Sequence, residues 1–126
     1  MTDEIRKSDL RAPDYAAHMI QACDKILQYT SGITHDQFIA DSMVQDAVLR
    51  NIEILGEATR NLLELLPNLQ SAYSDVPWID IYGMRNRVTH AYFFINLELV
   101  WAVAVGNVPE LRKQIEKVLG EMQSGG

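Results

Sequence analysis

Leu97, Trp101, Ala104, Val108, Leu111, Ile115, Val118 and Met122 follow one another at alternating spacings of four and three residues. Nothing else in the chain limits its fold as tightly. Such a row places every apolar side chain on one stripe of an α-helix, a seam that must bury itself against other helices. Two further segments carry helical periodicity. From Pro13, Tyr15, Met19, Ala22, Ile26 and Tyr29 form one row, with Ala16, Ile20, Cys23 and Leu27 beside it. From Ser42 to Leu66, the inward set is Val44, Val48, Ile52, Leu55, Thr59, Leu62 and Leu66. No alternating strand pattern competes with them. The expected architecture is an all-α, antiparallel bundle of four main helices in a single domain over residues 1–123, with residues 124–126 as a flexible tail.

The punctuation agrees with this reading. Pro13 suits a first helical turn, and Ser31-Gly32 supplies a stop. Thr34-His35-Asp36-Gln37 has capping-box spacing and opens a short helix, after which Asp41-Ser42 can cap the second long one. Pro67 ends that helix, and residues 68–76 read as a loop. Pro77 starts a third helix, expected to break near Tyr92 to Asn96, and Asn96 can cap the last. Pro109 lacks an amide proton, so the last helix is expected to be kinked there. Gly56 in mid-helix costs about 1 kcal/mol relative to alanine, which implies the close approach of another helix or of a second copy of the chain. Asp46, Arg50, Glu53, Glu57, Arg60 and Glu64 read as a solvated stripe with pairs at helical spacing.

Composition removes several classes of function. The 126 residues contain one cysteine, Cys23, so no intrachain disulfide can form and thiolate metal clusters are excluded. No apolar run approaches the roughly 20 residues that span a bilayer, and the charged N-terminus lacks the apolar core of a secretory signal, so no membrane association and a cytoplasmic location are expected. A net charge of −6 argues against non-specific coating of nucleic acid. The charge is uneven, however. Between Pro77 and Ile95, Asp80 faces Arg85 and Arg87, a net of +1, which leaves −7 for the remainder. No glycine-rich phosphate loop is present, and His18 and His35 have no ligand-type spacing, so no cofactor and no metal are expected.

The positive segment is also the chemically dense one. Arg85-Asn86-Arg87-Val88-Thr89-His90-Ala91-Tyr92 combines two fixed cations, an imidazole that titrates near neutral pH, and a phenol. Residues five apart on a straight helix lie about 140° apart around its axis. Arg85 and His90 can therefore meet one small target only if the helix bends after Arg85 or if a two-fold axis brings two copies of the motif together.

The stretch from Ile81 to Tyr92 with the following Leu97-Glu98-Leu99-Val100-Trp101, and the earlier Arg50-Asn51-Ile52-Glu53-Ile54-Leu55-Gly56-Glu57-Ala58, resemble the HepT family of HEPN-domain toxins. The likeness extends over Tyr15 to Leu119. The resemblance implies that Arg85 and His90 are the catalytic pair of an Arg-x4-His motif, with Asn86 the polar residue after the arginine. It further implies a homodimer whose motifs line a shared cleft, and metal-independent cleavage of an RNA substrate. An MntA-like nucleotidyltransferase antitoxin is the implied partner, silencing the toxin by adenylylating Tyr92. Arg87 reads as an RNA contact or a surface salt bridge. His90 without the resemblance reads as a cap of helix carbonyls, and Tyr92 as part of an aromatic core cluster with Phe93-Phe94. A non-catalytic helical module that binds a nucleotidyltransferase, and a purely structural helical dimer, are the rival readings.

Overall fold

The computed structural model describes residues 11–90 and 94–124. Helix α1 spans Ala12–Thr30, α2 His35–Ile39, α3 Ser42–Leu65, α4 Leu69–Ala72 and α5 Trp78–Val88. A two-residue segment β1, Thr89–His90, pairs with β2, Phe94–Ile95, before α6, Leu97–Ala102. A π-helical turn over Val103–Asn107 then joins α6 to α7, Val108–Ser124. Ser124 thus still belongs to the last helix, and residues 125–126 lie outside the described part.

The chain is an all-α bundle built on α1, which packs against α3 on one side and α7 on the other, while α5 packs on α3. The periodic rows supply the core. Met19, Cys23, Ile26, Val48, Ile52, Leu55, Leu62, Val108, Ile115 and Val118 are all fully buried. Phe38 from α2 joins them, and its ring stacks at a tilt on Trp101, 5.3 Å away. Arg112 ties the outer edges together, its Nε donating to Asp24 of α1 at 2.9 Å while another guanidinium nitrogen donates to Glu116. No helix among the described residues is long and apolar enough to cross a membrane.

The caps form as the turn chemistry dictates. The Thr34 hydroxyl accepts from the Gln37 amide at 3.1 Å, and Gln37 Oε1 accepts from the Thr34 amide at 2.8 Å. Asp41 Oδ1 accepts from Met43 and Val44 at 3.1 and 3.2 Å, starting α3. Asn96 Oδ1 accepts from Leu99 at 3.0 Å, starting α6. Gly32, at φ +76°, takes the left-handed conformation that ends α1 cheaply only for glycine.

Two details differ from the sequence reading, and a third adds to it. The expected loop after Pro67 contains the single turn α4, held because Leu69 is buried in the core. Helix α5 ends at Val88, four residues earlier than the expected break: the Val88 carbonyl accepts from Asn96 at 2.7 Å, closing a small antiparallel arm instead of a further helical turn. The wide turn before Pro109 lets the Val108 amide reach back five residues to the Val103 carbonyl. Pro109 then enters in the first turn of α7, where a missing amide proton is tolerated.

Gly56 sits where α3 crosses α5. The carbonyl oxygens of Tyr82 and Ile81 stand 3.5 and 3.6 Å from where a side-chain carbon would begin. The neighbour that the glycine admits is therefore α5 of the same chain, the helix that carries Arg85.

Candidate functional site

Helix α5 is narrow in its apolar face, burying Trp78, Ile81, Met84 and Val88 at spacings of three, three and four. Trp78 anchors its start, donating from Nε1 to the Tyr73 carbonyl at 2.9 Å. With the buried row at Met84 and Val88, the intervening Arg85, Asn86 and Arg87 are all left exposed. Both arginines lie in the last turn, where cations suit the carbonyl end of the helix dipole.

The two arginines do not converge. They are two residues apart, about 200° around the helix. Arg85 turns towards α3 and joins a cleft of about 450 Å³ with Tyr15, His18, Arg50, Glu53 and Asn61. Its Nε lies 3.9 Å from one oxygen of Glu53, whose other oxygen lies 3.9 Å from Arg50. Arg87 is on the far side of α5, facing a second cleft of about 560 Å³ beside the π-helical turn, and pairs with Asp80 at 3.5 Å. The salt-bridge alternative for Arg87 is thus realised. Arg85 keeps 63% of its side-chain surface open to solvent, so its guanidinium is accessible to a ligand.

His90 is the second residue past the end of α5. Its backbone is extended, opposite Phe94 in the β1–β2 arm. The 140° separation expected on a continuous helix therefore does not apply to it, because the chain leaves helical geometry between Arg85 and His90. Of the two solutions the spacing allowed, the structure takes the bend. The His90 side chain and the whole of Tyr92 lie outside the described residues. Phe94, on the same arm, is 66% exposed.

The cleft draws on residues that the sequence reading did not connect with Arg85. Arg50, Glu53 and Glu57 are exposed, as expected of a solvated stripe, and they also form its α3 wall. Glu57 does pair with Arg60, at 3.1 Å, as the spacing suggested, whereas Glu53 turns instead to the two arginines. His18, read as structural, opens into the same cleft, its ring edge-on to Tyr15 at 6.1 Å. Asn61 is 6% exposed and its Oδ1 has no hydrogen-bond partner. No spacing rule could have grouped these residues, because α1, α3 and α5 meet only in the packed bundle. Two titratable groups away from the cleft are held in the packing of the bundle. His35 Nε2 shares a 2.6 Å hydrogen bond with Glu98 and its ring packs against Trp101. Burial pushes the Cys23 thiol up to about 12. Among the described residues, no group of three His, Cys, Asp or Glu side chains could hold a metal ion.

The ribonuclease HepT-like family matches residues 19–118, a span that holds the α3 and α5 residues of the Arg85 cleft and the whole segment from Arg85 to Tyr92. The chain belongs to that family. A protein of Caldanaerobacter subterraneus subsp. tengcongensis named "Putative RNase" is 34% identical over 105 residues, covering 83% of this chain and 91% of the relative. Another of that name from Methanocaldococcus jannaschii is 33% identical over 117 residues, 93% of each chain. A "Probable ribonuclease HepT" of Thermococcus cleftensis is 31% identical over 106 residues, 83% of this chain and 93% of the relative. No solved structure matches the chain significantly.

Proposed function

We propose that this HepT-like protein is an endoribonuclease of toxin type that cuts RNA without a metal, with Arg85 and His90 as its catalytic residues. The observation that carries the proposal is the family match across the Arg85 to His90 segment, supported by an α5 that ends at Val88 and so frees His90 from the helical spacing that would hold it away from Arg85. RNA brings its own nucleophile. His90 takes the proton of the 2′-hydroxyl, and the 2′-oxygen forms a bond to phosphorus as the bond to the 5′-oxygen breaks. The leaving 5′-oxygen is protonated in turn, by the same imidazole or by the His90 of a second protomer. Arg85 stabilises the extra negative charge on the phosphoryl oxygens through its charged fork. Asn86, next to Arg85 and exposed, orients the imidazole or binds a phosphate oxygen. Arg87 serves as an RNA contact only if substrate displaces Asp80.

The same reading includes a homodimer and an MntA-like nucleotidyltransferase antitoxin that adenylylates Tyr92. An added adenylyl group would bring bulk and a negative phosphate two residues from His90, opposing the binding of RNA phosphate to Arg85. The test is cleavage of RNA by purified, unmodified protein in the presence of a chelator and without antitoxin. Wild type should cut, and His90→Ala and Arg85→Ala should each be slower by a factor on the order of 10² to 10⁴. If wild type and His90→Ala leave RNA equally intact, the enzymatic reading is lost. Mass spectrometry of Tyr92 after incubation with a nucleotidyltransferase and ATP tests the switch separately.

A further inference from the structure

We infer that Arg50 is a further RNA-binding residue, gripping the phosphate backbone of the strand together with Arg85, and that Glu53 is the placeholder anion this grip displaces. The identity of the ligand rests on the ribonuclease reading, whereas the placement of the groups follows from the packing of α3 on α5. The two helices run in opposite directions where they meet. Gly56 faces the Ile81 and Tyr82 carbonyls, while Glu53, earlier on α3, faces Arg85, later on α5. Arg50, almost a full turn further back along α3, therefore lies past Arg85 in the direction in which α5 ends and the segment with His90 begins. A strand bound at Arg85 and His90 thus has another cation within reach, supplied by a different helix.

The electrostatics agree. Arg50 Nη1 and Arg85 Nε each stand 3.9 Å from a different oxygen of the one Glu53 carboxylate, so a single small anion already sits within reach of both guanidiniums. That distance is longer than a hydrogen bond, and the carboxylate balances charge without saturating the donors. Arg60 and Arg112 behave differently: each hydrogen-bonds a carboxylate, Arg60 that of Glu57 at 3.1 Å and Arg112 that of Asp24 at 2.9 Å. Arg50, with 71% of its side chain open to solvent, makes no hydrogen bond among the described residues. An exposed ion pair adds little to stability, so Glu53 is readily exchanged. A phosphodiester offers its charged oxygens to two planar forks at true hydrogen-bonding distance. Glu57, the other carboxylate of the cleft, is engaged by Arg60 and does not compete. The charges that meet at this point are two arginines against Glu53, a net of +1 that favours an anion.

Binding of a 2′-O-methyl uridine hexamer, a strand that lacks the nucleophile and cannot be cut, tests the grip apart from catalysis. Fluorescence anisotropy of the labelled probe is recorded over a range of salt with the unmodified full chain. Arg50→Ala should weaken binding by roughly tenfold at low salt, the scale of one charge-assisted hydrogen-bonded contact. It should also flatten the dependence of log affinity on log salt by about 0.7, the loss of one phosphate contact on a single strand. Arg50→Lys, which keeps the charge without the fork, should recover part of the affinity. Glu53→Gln should act in the opposite direction and tighten binding severalfold, because the placeholder is gone. The Arg50→Ala loss should persist in the Glu53→Gln background. Lys117→Ala, which removes an exposed positive charge from α7 outside the cleft, should have much less effect than Arg50→Ala. With RNA that can be cut, Arg50→Ala should raise KM and leave kcat within about threefold, as for a contact made equally in ground and transition states. The Arg50 contact is refuted if Arg50→Ala binds the hexamer like wild type, if its loss disappears in the Glu53→Gln background, if Lys117→Ala matches it, or if Glu53→Gln weakens binding. Opposite shifts in hexamer binding without any RNA cleavage by wild type would remove the nuclease reading alone. Cleavage by wild type and Arg50→Ala with equal KM would remove the Arg50 contact alone.

Discussion

Replacing Gly56 by alanine and by leucine separates two effects that α3 combines at one position. A glycine inside a helix costs about 0.8–1.0 kcal/mol relative to alanine, because it loses more backbone freedom on folding. The nearest atoms to an added methyl group would be the Tyr82 and Ile81 carbonyl oxygens at 3.5 and 3.6 Å, an ordinary van der Waals contact. Gly56→Ala should therefore recover most of the helix term, raising stability by about 0.5–1 kcal/mol and the melting temperature by about 2–5 °C. A leucine has no such room. It must push α5 away at the turn just before Arg85, at a cost of about 1–3 kcal/mol typical of overpacking. Urea unfolding followed by circular dichroism measures both changes, provided the slope stays constant. RNA cleavage by Gly56→Leu at a temperature where it remains folded should fall with the displaced Arg85. The reasoning is refuted if Gly56→Ala loses more than about 1 kcal/mol, or if Gly56→Leu is as stable as wild type.

Two further outcomes follow from titratable groups away from the cleft. The hydrogen bond to Glu98, with a smaller contribution from Asp36, holds His35 above the ordinary imidazole value. Its stabilising contribution is fully present below the unfolded value of about 6.5 and is lost as pH rises through the folded one. The melting temperature should therefore decline through that window, and His35→Asn should flatten the decline. Cys23, fully buried and with its thiol pushed up to about 12, should resist alkylation at neutral pH in the native state and react at once when the chain is unfolded in denaturant.

Much of the architecture is legible from local rules. The boundaries of α1, α2 and α3 follow from Pro13, Gly32, the Thr34–Gln37 box, Asp41 and Pro67, because caps and breakers act within a few residues of themselves. The 4-3 seam of the last helix likewise identifies its buried residues, since a helical period depends only on the chain's own geometry. The end of α5 was less legible. Val88 and Thr89 continue a pattern that a helix tolerates, and the decision to stop came from the Val88 carbonyl finding Asn96, a residue beyond the arm.

The site divides along the same line. The sequence by itself determined which groups could do chemistry: the motif from Arg85 to Tyr92, its excess of positive charge, and the family to which those residues point. Tertiary structure alone decided the grouping. It brought Arg85 to Glu53, making that carboxylate one shared by two arginines, and set His18 and Asn61 on the Arg85 cleft. The physical reason is that spacing along a chain specifies which face of a helix a residue occupies, while the neighbour that face meets is chosen only when the apolar stripes of different helices bury one another.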